Sequence, residues 1–123
     1  MRIKKAPSNW PVIPKEIVVP HDLDYKDKLW YNSSPNVTYT TINDEQLDVY
    51  LITVFLDIND TLGIYIDSFE EECIDHTQAD KALEICDLWM HRYKKQLYIE
   101  GLQKVIDMLN LAKELHTCVE FNF

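Results

Sequence analysis

The order of hydrophobic and polar residues changes along the chain, and each change predicts a different element. Val37 to Ile42 is rich in Thr and Tyr, which predicts a β-strand closed by a turn at Asn43-Asp44-Glu45. Leu47 to Ile58 has apolar residues at both odd and even positions, which is typical of a strand covered on both faces. We therefore expect this longer strand at the centre of a sheet.

From Thr77 onward, apolar residues recur every three or four positions, which predicts helices. Thr77 and Asp80 resemble a capping box in front of a first helix of about five turns. Gly101 predicts a break, a second helix follows as far as Leu115, and Val119 to Phe123 predicts a short strand. The predicted class is α+β, a mostly antiparallel sheet with two C-terminal helices packed on one face and a short C-terminal strand.

The pattern predicts a single domain over residues 1–123, and 123 residues are enough to bury a core without staples. Residues 1–36 contain all five prolines and predict one edge strand at Ile17-Val18-Val19 between long loops. Trp10 and Trp30 in this segment could cover the second sheet face or anchor a partner. Antiparallel strands are expected over 37–76, helices over 77–115 and the last strand over 117–123.

The stretch DINDTLGIYIDSF, residues 57–69, places oxygen-bearing side chains at alternate positions before a glycine, as a calcium loop does. An EF-hand loop requires glycine at its sixth position and a bidentate Glu at its twelfth. Here Gly63 is seventh and Ser68 is twelfth. The stretch instead predicts a β-hairpin whose loop, Asn59 to Gly63, uses Gly63 for a left-handed backbone conformation.

This hairpin would sort its side chains onto two faces of the sheet. The face expected to form the core carries Ile52, Val54, Leu56, Ile58, Ile64 and Ile66. The other face carries Thr53, Phe55, Asp57, Tyr65, Asp67 and Phe69, so aromatic rings and carboxylates interleave there. With the turn tip and the acids that follow, the predicted partner-binding residues are Phe55, Asp57, Asp60, Tyr65, Asp67, Glu70, Glu71 and Glu72.

Charge narrows the class of partner. The formal net charge is -9, from 12 Lys and Arg against 21 Asp and Glu, which argues against nucleic-acid binding through phosphates. Between Asp44 and Asp87 we count thirteen acids against one base, Lys81. Such a region is either a solvated edge that deters strand pairing or a patch that faces a basic protein partner.

The sequence offers few motifs for metal binding or catalysis. Cys73 and His76 with His116 and Cys118 could supply a Cys2His2 set, but the second pair has only one intervening residue, fewer than structural zinc sites use. We expect no metal, no cofactor and no enzymatic activity. Three cysteines are an odd number and predict free thiols in a reducing compartment. Without an apolar run near the ~20 residues that span a bilayer, we expect a cytoplasmic protein that does not bind membranes.

In size, acidity and α+β class, the chain resembles the immunity proteins of bacterial toxin systems, including those of contact-dependent growth inhibition. The resemblance implies a small cytoplasmic protein that blocks a toxin domain, commonly a basic nuclease. We therefore expect an acidic inhibitory binding protein that occludes the active site of such a toxin. The alternatives are a phage-type inhibitor that imitates nucleic acid, a small metal-dependent hydrolase that uses the carboxylates, and a scaffold with an incidental acidic edge.

Overall fold

The structure is a computed structural model that describes residues 15–22 and 36–123. Trp10 and Trp30, and the roles predicted for them, lie outside the described residues. The α+β class is confirmed, because four antiparallel strands form one sheet in the described part of the chain, in the order β2-β1-β4-β3. The strands are β1 (Lys15–Pro20), β2 (Val37–Ile42), β3 (Glu71–Asp75) and β4 (Cys118–Asn122).

The strand at Ile17-Val18-Val19 is confirmed, but its predicted place at the edge of the sheet is wrong. β1 pairs with β2 on one side, where Ile17 lies opposite Thr40, and with β4 on the other, where Ile17 lies opposite Phe121. All three residues of the run are buried. A continuous apolar run in a short strand is what burial of both faces requires, so β1 is a central strand.

Four helices lie within the described residues, and two of them occupy the region predicted as the long central strand and the hairpin. They are α1 (Asp44–Leu51), α2 (Val54–Leu62), α3 (Ala79–Arg92) and α4 (Gln96–Leu115). The expected turn after β2 is a helix start, because the Asn43 side chain accepts from the Gln46 backbone N–H while the Gln46 side chain accepts from the Asn43 N–H. This reciprocal capping satisfies two N–H groups that a helix start leaves open.

The buried residues of α1 and α2 explain why this stretch is helical. Leu47, Tyr50, Val54 and Ile58 are fully or almost fully buried and follow one another at three or four residues, the period of a helix face. Ile52, predicted for the core face, is instead 72% exposed at the junction of the two helices. The left-handed conformation predicted for Gly63 is present (φ 68°), but it ends α2 rather than turning a hairpin.

The two C-terminal helices are present, with different boundaries from those predicted. The capping box uses Asp75 and Gln78 rather than Thr77 and Asp80, and it opens a short 3-10 turn before α3. The break between the helices falls at residues 93–95, and α4 continues through Gly101. Gly101 is buried where α4 passes the side chains of Gln46 and Tyr50, so a close approach between helices accounts for this glycine.

The core lies between the sheet and the helices. α4 packs against β1 and β4, while α3 packs against α4 and α2. The sheet supplies Ile17, Val19, Ile74, Val119 and Phe121 to this core. The terminal strand is confirmed and sits between β1 and β3, which leaves β3 as the last strand of the described sheet on that side.

Candidate functional site

The acidic edge, defined here as residues 64–72, connects the end of α2 to the first residues of β3. It carries two exposed aromatic side chains, Tyr65 (58% exposed) and Phe69 (47% exposed). Four of the predicted partner-binding carboxylates lie on it, at Asp67, Glu70, Glu71 and Glu72. Aromatic residues are enriched at protein interfaces, and their combination here with carboxylates makes the acidic edge our candidate site.

The start of the acidic edge is fixed by Asn59 and Gly63. Gly63 ends α2, and its N–H donates to the Asn59 carbonyl (2.9 Å). The Asn59 side chain then holds Ile66 at both backbone groups, accepting from the Ile66 N–H (2.8 Å) and donating to the Ile66 carbonyl (3.1 Å). Ile66 is buried at 1% exposure, whereas Tyr65 beside it is exposed. This fixed backbone therefore presents the Tyr65 ring to solvent.

Glu72 ties the far end of the acidic edge to its beginning. One carboxylate oxygen accepts from the Tyr65 N–H (2.8 Å) and the other from the Cys73 N–H (2.9 Å). Hydrogen bonds to a carboxylate are among the stronger ones in proteins. Glu72 was predicted to contact a partner, but its two oxygens already hold the chain of the acidic edge together.

The same carboxylate also protects the edge of the sheet. In β3 and the residues that flank it, even-numbered residues direct their backbone groups toward β4. Two hydrogen bonds show this, from the Phe123 N–H to the Glu70 carbonyl and from the His76 N–H to the Thr117 carbonyl. The Cys73 N–H therefore points away from β4, and Glu72 accepts it. An edge N–H that is already bonded is a poor template for another strand. Glu72 thus supplies one deterrent to strand pairing at this end of the described sheet.

Phe69 has a left-handed backbone conformation (φ 62°), which bulky residues rarely adopt. The Lys15 Nζ lies 5.0 Å from the centroid of its ring. Lys15 is itself held by the Phe123 carbonyl, to which it donates at 3.2 Å, and the Phe123 N–H donates to the Glu70 carbonyl at 3.3 Å. The ring is consequently held in place while nearly half of it remains in solvent.

The exposed position predicted for Phe55 is wrong. Phe55 is fully buried, and its ring packs edge-on against Tyr50 and Phe121 and stacks on Phe123. It faces the core because residue 55 belongs to the buried side of α2 and not to a strand. Phe55 is therefore a core residue and cannot contact a partner in the folded protein.

Asp57 and Asp60 also belong to α2 rather than to a hairpin. The Asp57 carboxylate accepts from the Trp89 indole N–H at 2.7 Å, and one turn earlier Thr53 and Tyr93 share a hydrogen bond of 2.6 Å between their hydroxyls. Asp57 therefore joins α2 to α3. Asp60 is exposed in the last turn of α2, not at the tip of a hairpin.

The two metal sites considered from the sequence are a calcium loop at residues 57–69 and a Cys2His2 set. Residues 57–61 are helical, so their alternate oxygens point in different directions and cannot form a calcium loop. The fold does bring His76 and His116 together, with ring centroids 5.3 Å apart. Within residues 15–22 and 36–123, however, no group of three or more His, Cys, Asp or Glu side chains is arranged to hold a metal ion.

The residues with shifted pKa values lie where α1, α3 and α4 meet. Hydrogen bonds from Lys95 (2.8 Å) and Tyr98 (2.9 Å) lower the pKa of Glu45. The same contact with Glu45 raises the pKa values of Lys95 and Tyr98. Burial raises the pKa of the Cys86 thiol to about 12, so this cysteine is an inert core residue rather than a nucleophile. The contacts among Glu45, Lys95 and Tyr98 thus join α1 to the start of α4 and have a structural role.

No protein-family model matches the chain, and neither a curated protein nor a solved structure shows significant similarity to it. In the part of the chain that the structure describes, no helix has the length and apolar character needed to cross a membrane.

Proposed function

We propose that the protein is an acidic inhibitory binding protein of the immunity type. In this proposal, it neutralises a basic, nuclease-type toxin domain by covering the active site of that domain with the acidic edge. The observation that supports it is the pair of exposed rings, Tyr65 and Phe69, beside Asp67, Glu70 and Glu71. Aromatic side chains at the centre of an interface commonly carry much of the binding energy.

Charge and rings would serve different stages of binding. A net charge of -9 raises the rate of encounter with a basic partner, in some complexes by orders of magnitude at low salt. The rings would then lose water against the partner and slow dissociation, because affinity differences among related complexes lie mainly in the off-rate. The proposal places this event in the cytoplasm. It is supported by Cys73, Cys86 and Cys118, none of which forms a disulfide.

The test uses the products of the genes adjacent to the one that encodes this protein, because an immunity gene lies beside its toxin. Each product is expressed alone and together with the protein, and survival of the host cells is counted. We expect one product to be toxic and the protein to restore growth. Glu71→Lys, a reversal at an exposed position of the acidic edge, should weaken protection.

The matched control is Glu84→Lys, which makes the same charge change on the exposed side of α3. Among the described residues, Glu84 forms an exposed ion pair with Lys81 (3.3 Å), and such pairs contribute little to stability. Circular dichroism should show that both variants remain folded. If no adjacent product is toxic, or if Glu71→Lys protects as well as Glu84→Lys does, the proposed function is wrong.

A further inference from the structure

Phe69 combines two features that are each unfavourable for a folded protein. Its backbone is left-handed (φ 62°), and its large apolar side chain is 47% exposed. Glycine or asparagine would adopt the same backbone conformation at lower cost. Strain of this kind is concentrated at functional sites, where the surrounding structure holds it in place. The fold uses the ring for its contact with Lys15, but that contact does not account for the part of the side chain that remains in solvent.

The surroundings of the ring indicate which chemistry it accepts. A cation already contacts it, since Lys15 Nζ is 5.0 Å from the ring centroid. An aromatic face attracts a cation at this distance through its quadrupole. Carboxylates follow in the chain at Glu70 and Glu71, and Glu71 is exposed. A ligand that fits this place is positively charged, flat enough to stack on a ring, and able to bond a carboxylate.

We propose that Phe69 is a recognition residue for an arginine side chain of the protein's basic partner. The guanidinium would stack on the Phe69 ring and bond the Glu71 carboxylate. Arginine fits better than lysine, because its planar group can stack and bond a carboxylate at the same time. This inference rests on the proposed function for the source of the arginine, but the recognition chemistry can be measured without a toxin.

The experiment titrates the purified full-length protein with acetyl-hexaarginine amide and, separately, with acetyl-hexalysine amide at low ionic strength. Binding is followed by the NMR signals of the aromatic rings. The Phe69 signals should move with the arginine peptide, which should bind about threefold more tightly than the lysine peptide. Phe69→Gly should abolish this preference. Tyr39→Ala is the matched control, because Tyr39 is an equally exposed ring (50%) on β2, at the opposite end of the sheet.

A second measurement separates recognition from folding. Phe69→Gly and Phe69→Ala both remove the ring, but only glycine relieves the left-handed strain. The melting temperature of the glycine variant should exceed that of the alanine variant by about 3 °C. An equal or lower melting temperature would show that the backbone of Phe69 is not strained, which would overturn the reason for assigning it a function.

The remaining outcomes are equally decisive. Equal binding of the two peptides, ring shifts confined to other residues, or an unchanged preference in Phe69→Gly would each overturn the assignment of arginine recognition. These results are independent of the survival test. If the arginine peptide binds at Phe69 while no adjacent gene product is toxic, the immunity function is wrong and the recognition site remains.

Discussion

Replacing Gly101 with alanine should destabilise the protein, although the same change in an exposed helix is stabilising. Gly101 lies in the second turn of α4, buried against α1. A Cβ at this position would stand 2.6 Å from Gln46 Nε2 and 2.8 Å from Gln46 Cδ, and it would also collide with the Tyr50 hydroxyl. Both neighbours are buried, so they cannot swing into solvent to make room.

The magnitude follows from what these neighbours bond. The Gln46 amide donates to the Leu97 carbonyl (2.9 Å), and the Tyr50 hydroxyl donates to the Tyr98 carbonyl (2.6 Å). Displacing both side chains removes two hydrogen bonds of about 1 kcal/mol each. Overpacking adds about 1–3 kcal/mol, while the helix propensity of alanine returns about 1 kcal/mol. The free energy of unfolding should therefore fall by about 2–4 kcal/mol.

The assay is urea denaturation followed by circular dichroism, in which the midpoint should fall while the slope stays unchanged. Asn110→Ala, at an exposed position of the same helix, should stay within about 0.5 kcal/mol of the wild type. Tyr50→Phe removes the colliding hydroxyl, so Gly101→Ala should cost at least about 1 kcal/mol less in that background. A neutral or stabilising Gly101→Ala would refute the close approach as the reason for this glycine, and so would an unchanged cost in the Tyr50→Phe background.

Three further results are expected from the contacts and charges described above. Asp57→Ala should lower the free energy of unfolding by about 1–3 kcal/mol, because the Trp89 indole N–H loses its acceptor. Asp57→Asn keeps an acceptor oxygen and should retain most of this stability. Equal losses for the two variants in urea denaturation would contradict this account. Because the pKa of Glu45 is lowered from its ordinary value of 4.5, its contacts stabilise the fold fully at pH values above 4.5, and this contribution is lost as the pH falls through the lowered pKa. In Lys95→Met, an NMR titration should show the pKa of Glu45 return toward 4.5. Raising the salt concentration to about 0.5 M should raise the melting temperature, because screening weakens the repulsion among excess acids, and a flat or falling value would show that their ion pairs dominate.

The elements that could be predicted are those whose pattern fits one element type. β2 is short and rich in β-branched residues and Tyr, and the stripe through Ala79, Ala82 and Cys86 is buried as its period indicates. The predicted end of the first helix, at Gly101, is wrong because glycine is a helix breaker only where no tertiary contact offsets its low propensity. At Gly101 the cost in helix propensity is offset by the contacts that α4 gains with α1, and these contacts are tertiary.

The region of α1 and α2 was predicted wrongly because its apolar residues fit two periods. Leu47, Tyr50, Val54 and Ile58 fall on odd and even positions, as in a strand buried on both faces, but their spacing of three and four also describes one helix face. Two local signals could have decided between these readings. Asn43 with Gln46 is an N-terminal capping pair, and Gly63 is a typical C-terminal cap.

Some of the predicted partner-binding residues stay together for a reason that concerns chain order. Tyr65, Asp67, Glu70 and Glu71 are close in sequence, so they stay together on the acidic edge whether or not a hairpin precedes them. Phe55 was predicted to lie near them only because of an assumed cross-strand pairing. That pairing is wrong, and Phe55 is buried in the core. The internal bonds of Glu72 and the strained backbone of Phe69 depend on three-dimensional placement, and no residue pattern signals either one.

Net charge by itself does not locate the site, because the fold uses many of its own acids. Glu45 pairs with Lys95, Asp80 with Lys113 at 2.6 Å, and Asp57 bonds Trp89. The two exposed ion pairs contribute little stability, whereas the bond of Asp57 to Trp89 joins α2 to α3. None of these three acids points to a partner. The acidic edge differs from them because it adds exposed rings to its carboxylates, and burying those rings is favourable only against another surface. In the proposed function, long-range attraction comes from the charge of the whole molecule, whereas Tyr65 and Phe69 select the partner.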